Sequence, residues 1–216
     1  MTRFILTLGV IGLSGIIAQV ILIRELLVVL CGNELVMGVI LANWLLAEWM
    51  GALVFGVLSD RFKRLVLVFF GLQCLFLLCF PASLYCARIL KDFLGIPFGE
   101  AVNLWQIWFS SFLILFPISF SHGALFSVSC RIFDSIAKVY AWETAGTLAG
   151  GVLFTFFLVP RCNSFQIVAL VMLVNITICL FWSRELPRFL LISNIVLLGA
   201  FIFWVFGGAI SWLNTS

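Results

Sequence analysis

The chain alternates long apolar runs with short polar clusters. Seven runs stand out, near residues 4–30, 35–58, 65–86, 105–130, 139–159, 165–182 and 189–212. Each is long enough to cross a hydrocarbon core of about 30 Å as a helix. In lipid a helix satisfies its own backbone hydrogen bonds, which an open strand cannot do. A membrane barrel would show alternating segments of about ten residues, and this sequence does not. The pattern predicts an all-α integral membrane protein of about seven transmembrane helices, folded as one polytopic domain over residues 1–216.

The breaks between runs are short. Cys31-Gly32-Asn33-Glu34 reads as a tight turn, because Gly and Asn tolerate positive φ. Ser59 to Arg64 is a second turn, and Ser183 to Arg188 a third, with Pro187 opening the last helix. The longest connection covers about 87–104, where Leu90 to Pro97 suggests a short interfacial helix.

Composition agrees with lipid as part of the solvent. Of 216 residues, 64% are hydrophobic and 10% charged, against about a quarter charged in a soluble domain. The run from Phe4 to Leu30 exceeds a signal-peptide core and lacks a small-residue cleavage site, so it reads as a retained first helix. The net charge of +3 is spread over short loops and forms no basic face, which argues against a nucleic-acid partner. No CxxC occurs among the seven cysteines, and they read as small hydrophobes. With a single histidine, His122, a haem held by two histidines or a His-rich metal site would need ligands from another chain, and no cofactor is expected.

Lys and Arg set the direction. Arg3, Arg61, Lys63, Arg64, Arg131, Lys138, Arg184 and Arg188 fall on one side of the predicted helices, and Arg88, Lys91 and Arg161 on the other. The richer side should be cytoplasmic, which places the amino terminus inside. Trp105 and Trp212 fit an outer aromatic belt, and Trp142 and Trp182 an inner one.

Ionisable and strongly polar groups within the runs are functional candidates, because lipid penalises them unless they are paired or hydrated. They are Gln19, Arg24, Glu25, Asn43, Glu48, His122 and Glu143. A rise of about 1.5 Å per residue puts Arg24 and Asn43 at similar depth, and Glu48 and His122 at similar depth. Each pair is a candidate contact. Glu25 points about 100° away from Arg24 and needs another partner or water. The runs near 65–86 and 165–182 carry little polarity beyond Gln73, Asn175 and Thr177.

Two stretches carry a family resemblance. One is IRELLVVLCGNELVMGVILANWLLAEWMGALVFGVLSDR, residues 23–61. The other is HGALFSVSCRIF with VYAWETAGTLAGGVLFTFFLVPRCNSFQI, residues 122–133 and 139–167. Together they resemble the transmembrane part of membrane-embedded spermidine synthase-like proteins, relatives of polyamine aminopropyltransferases fused to a major-facilitator-like bundle. The resemblance covers about residues 5–185 and implies that six of the helices form a major-facilitator-like half, with its third and sixth helices outermost. In the fused relatives a soluble domain follows, with a GGGDG-type loop for the aminopropyl donor. Here the Gly-Gly pairs, Gly150-Gly151 and Gly207-Gly208, lie inside apolar runs. The expectation is a chain without aminopropyltransferase activity of its own. GVLSDRFKR, residues 56–64, also resembles the loop after the second helix of major-facilitator transporters, where Gly56, Asp60, Arg61 and Arg64 would pin helix ends.

Within YAWETAGTLAGG, Glu143 shares a helix face with Gly146, Thr147 and Gly150. The Gly146-x-x-x-Gly150 spacing lets another backbone approach closely. Glu143 then sits at the rim of a helix seam, able to latch onto Arg61 or Arg64.

Three functions remain open. The first is a non-enzymatic inner-membrane subunit of a bacterium that assembles with itself or with another membrane or soluble subunit. The second is a half-transporter or channel component for small cations such as polyamines, working as an oligomer. A membrane-embedded enzyme is the weakest, for want of any nucleophile–base spacing. Transport predicts polar groups converging on a cavity, whereas assembly predicts a small-residue helix face open to lipid.

Overall fold

The computed structural model describes residues 2–95 and 102–182, together with positions 192, 196 and 199. It contains six helices long and apolar enough to cross a membrane: α1 (Thr2–Val29), α2 (Glu34–Leu58), α3 (Leu65–Leu94), α4 (Leu104–Phe133), α5 (Ile136–Leu153) and α6 (Ser164–Phe181). No strand occurs among the described residues. The predicted seventh run, 189–212, lies outside the described residues apart from those isolated positions.

Short polar side chains start the helices. Asn33 accepts from the Val36 amide at 3.2 Å, and Ser135 accepts from the Lys138 amide. Asn103 and Asn163 each form a reciprocal cap with a glutamine three residues on, Gln106 and Gln166, which satisfies otherwise orphaned amides. α3 ends on Gly95 at φ 62°, in the left-handed region that glycine adopts without strain. α5 widens into a π turn, Phe154–Leu158, just before Pro160. Proline has no N–H to continue the ladder, and the Val159 amide bonds instead to the Phe154 carbonyl at 2.9 Å.

The expected interfacial helix at Leu90–Pro97 is corrected: Leu90–Leu94 are the last turn of α3, a 30-residue helix. The helix absorbs Pro81, runs past Arg88 and Lys91, and stops at Gly95.

Two helix pairs make the frame. α2 packs along α4, and α1 along α5; α3 lies against α4 and α1, and α6 against α1 and α3. Glycines bring the paired backbones together. A methyl at Gly51 would strike the Phe120 carbonyl, and one at Gly123 the Glu48 carbonyl. Across the other pair, a methyl at Gly12 would strike the Glu143 carbonyl, and one at Gly146 the Gly9 carbonyl. At Gly150 it would stand 2.8 Å from the Leu13 Cα. The predicted Gly146–Gly150 seam is therefore filled by α1 of the same chain, and it is not a face open to lipid.

The expectation that the third and sixth helices are outermost needs correction. α5 and α2 are the least enclosed, with 17% and 28% of their most apolar stretch buried, against 44% to 61% for the other four. Gln73 of α3 donates to Asn175 of α6 at 3.0 Å, and Asn175 donates to Ser14 of α1 at 2.7 Å, all three buried. These amides fasten α3 and α6 to α1, because a polar group in hydrocarbon stays buried only if it finds a partner. At the basic end, Trp182 is buried rather than interfacial: its ring meets Phe4 and Phe70, and its indole N–H donates to Thr7 at 3.2 Å. Trp105 and Trp142 are exposed, as an aromatic belt requires.

Candidate functional site

Three ionisable side chains from three helices meet where the two pairs adjoin. Glu48 sits 10 residues from the Leu58 end of α2, His122 11 residues from the Phe133 end of α4, and Glu143 seven residues into α5 from Ile136. At about 1.5 Å per residue these are depths of about 15, 16 and 10 Å from the same end of the bundle. All three lie well inside a hydrocarbon core of about 30 Å.

His122 is the centre. Its Nδ1 lies 2.6 Å from Glu48 Oε1, and its Nε2 lies 3.7 Å from Glu143 Oε1. Glu48 Oε2 accepts from the Trp44 indole at 3.0 Å, so both oxygens of that carboxylate are engaged. The His122 side chain is 10% exposed, and its Nε2 makes no hydrogen bond. The Ile11 carbonyl of α1 also lies beside the imidazole. Gly15 makes room for the ring, since a methyl there would occupy the space of Nε2.

These groups line a cavity of about 340 Å³. Its floor is Gly15, Trp44, His122 and Gly123, and its mouth, between α2 and α5, carries the exposed Trp49, Tyr140 and Thr144. Gln19 of α1 is half-buried in the same wall. Thr147 faces it too and is anchored by donating to the Gly12 and Glu143 carbonyls at 3.3 and 3.0 Å. With both carboxylates ionised, the cluster is negative whichever protonation state His122 takes.

The other candidates are placed elsewhere. Asn43 does not meet Arg24: it donates to the Trp108 carbonyl and to Ser111 Oγ of α4, both at 2.8 Å. α2 turns its Asn43 face onto α4, whereas Arg24 is exposed on α1. Glu25 is held at the far end by Arg88, at 2.9 and 3.0 Å, and by the Ser164 hydroxyl. The guanidinium of Arg88 also stacks over Phe165, 4.4 Å from the ring centroid. Thus α1, α3 and α6 are tied together there.

The latch from Glu143 to Arg61 or Arg64 is also corrected. Glu143 points at His122, two turns into a helix that starts three residues earlier than the apolar pattern indicated, and Arg61 and Arg64 are exposed at the basic end. Asp60 pairs instead with Arg131 at the end of α4, and Gly56 lies beside Ser127 of α4.

Four contributors escaped the sequence reading: Gly12, Gly15, Gly51 and Gly123. The first two belong to a stripe, Gly9-x-x-Gly12-x-x-Gly15, whose spacing does mark a close helix contact. Gly51 and Gly123 are isolated and carry no such mark.

Comparison with protein families, with curated proteins and with solved structures returned no match. The site is therefore read from its own geometry.

Proposed function

We propose that this chain is an integral membrane subunit forming one half of a pathway for small cations, and that it works as an oligomer. The observation that carries this reading is the convergence of Glu48, His122 and Glu143 on one cavity deep in the bundle. Buried charge of this kind is costly in lipid and marks ion or substrate routes. A negative pocket attracts cations and repels anions. The small-residue seam predicted for assembly is spent inside the chain, which weakens a purely anchoring role.

The cavity opens between the two least enclosed helices, α2 and α5. A second copy or another bundle against that face would close the pathway, as inverted or paired halves do in many carriers. The resemblance to the membrane part of spermidine synthase-like proteins, and the comparison of the bundle with a major-facilitator-like half, belong to this proposal. So does an inner-membrane location in a bacterium, with the amino terminus and the basic end in the cytoplasm, by the positive-inside rule. The proposal assigns the chain no aminopropyl transfer of its own.

The test is electrical. The purified chain is reconstituted in liposomes adsorbed on a solid support, and the bath is switched between sodium, potassium and methylammonium chloride. The proposal expects a transient current for at least one cation that scales with protein content and is lost in Glu48→Gln. No current above protein-free liposomes for any of the three would overturn it.

A further inference from the structure

Both nitrogens of His122 face acceptors. Nδ1 lies 2.6 Å from Glu48 Oε1, and Nε2 lies 3.7 Å from Glu143 Oε1, with the Ile11 carbonyl beside the ring. On the α3 side the neighbour is the Phe76 ring, centred 6.0 Å away. Among the described residues no donor is aimed at either nitrogen. A neutral imidazole keeps one bare lone pair. On Nδ1 that lone pair would oppose a carboxylate at contact distance, and on Nε2 it would oppose a carboxylate and a carbonyl. An imidazolium carries an N–H on each nitrogen and has no lone pair to misplace. Its burial needs opposite charge close by, and a carboxylate on either side supplies it.

We infer that His122 is a built-in imidazolium, and that this fixed charge makes the cavity a site for one monovalent cation held by Glu143. This rests on the cation reading above and names the charge class of the ion and the residue that selects it. Two carboxylates and one imidazolium leave one net negative charge. A monovalent ion brings the cluster to neutrality. A divalent ion would leave it positive deep among membrane helices, which is costly. The ligands agree with the charge. Glu48 spends one oxygen on Nδ1 and the other on the Trp44 indole. Glu143 accepts no hydrogen bond among the described residues, and its side chain is 13% exposed at the cavity wall. One carboxylate is therefore offered to the ion, with the neutral oxygens of Gln19 and Thr144 in the same lining. Calcium takes about six to eight oxygens, several of them from carboxylates. Glu48 and Glu143 flank opposite nitrogens of one ring and do not converge on a single ion. Among the described residues no three His, Cys, Asp or Glu side chains are grouped to hold a metal.

The experiment is a binding titration of the detergent-solubilised full chain with sodium, potassium, magnesium and calcium chloride at constant ionic strength, read by tryptophan fluorescence and by calorimetry. Trp44 and Trp49 line the cavity and report its occupancy. Expected is saturable binding of sodium or potassium, with none of magnesium or calcium in the same range. Glu143→Gln removes the charge that holds the ion and should weaken binding at least about tenfold. His122→Ala removes the built-in charge and clears the space between the two carboxylates, so magnesium or calcium should then bind, and more tightly than sodium. A role for His122 in packing alone would not exchange the selectivity. Nitrogen NMR of the chain labelled at its single histidine needs no variant: both ring nitrogens should be protonated at neutral pH, and one bare nitrogen would overturn the assignment. Divalent ions bound by the unsubstituted chain as tightly as sodium or potassium, unaltered affinity in a folded Glu143→Gln, or no divalent binding in a folded His122→Ala would also overturn it, while sodium or potassium currents would leave the cation pathway standing. No binding and no current for any ion would sink both.

Discussion

Gly15→Ala probes the site without removing any charged group. A methyl on Gly15 would stand 2.7 Å from His122 Cε1 and 2.8 Å from Cδ2, besides colliding with Nε2. Non-bonded heavy atoms settle at about 3.5 Å, and Nε2 would stand 2.1 Å from the methyl, so the ring would have to retreat by roughly 1.4 Å. Retreat from α1 drives Nδ1 toward Glu48 Oε1, and that contact is already 2.6 Å. No slack exists in that direction. The ring must swing out of line, or α1 must part from α4. Losing the charged hydrogen bond costs about 1.5–3 kcal/mol. The better helix propensity of Ala returns up to about 1 kcal/mol. A net loss of about 1–2 kcal/mol follows.

Gly151→Ala is the internal standard, because a methyl there meets nothing within 4 Å and only the propensity gain remains. The assay is reversible unfolding in mixed micelles, followed by circular dichroism. A double-mutant cycle adds the decisive comparison. In a His122→Ala background the obstruction is gone, so Gly15→Ala should become neutral or stabilising. Refutation would be a Gly15→Ala variant as stable as Gly151→Ala, or an equal cost with and without His122.

Other consequences follow from the same geometry. Asn175→Leu should cost about 1–3 kcal/mol in the same assay, because it leaves Gln73 and Ser14 buried without their shared partner. Arg88→Ala should cost less than about 1 kcal/mol, since its side chain is 40% exposed and water screens the pair with Glu25. Thr144→Cys, at the cavity mouth, should react with a water-soluble thiol reagent, and an unreactive thiol would count against a cavity open between α2 and α5. Phe126 borders both this cavity and a second one near Arg131 and Asp134 at the basic end. Adding Phe126→Ala to the Thr144→Cys variant should therefore speed labelling of the introduced thiol from the basic side, measured in oriented vesicles, and an unaltered rate would separate the two cavities.

The apolar pattern was enough for six helices and most of their ends, because spanning length and capping residues are local properties. Where a boundary moved, as at Leu94, the charges from Arg88 onward read as a helix end, whereas the helix continues to Gly95. Depth counting brought Glu48 to His122, since both lie on helices with one clear end at the Ser59–Arg64 turn or near Arg131. It failed for Arg24 and Asn43, because equal depth says nothing about which way a face turns. The direction of Asn43 is set by Gly51, which presses α2 onto α4. Glu143 was misread for a related reason. The seam at Gly146 and Gly150 was legible, but its partner, α1, was not, and only that pairing turns Glu143 toward His122.

The chain contains one histidine, so ¹⁵N-histidine labelling reports one side chain alone. Titration of the labelled protein with sodium, potassium and methylammonium chloride, followed by nitrogen NMR, tests the centre of this account. The account predicts that the His122 resonances move saturably with at least one of these cations, and that the shift is lost in Glu48→Gln. Resonances unmoved by all three cations, or moved equally in Glu48→Gln, would contradict it.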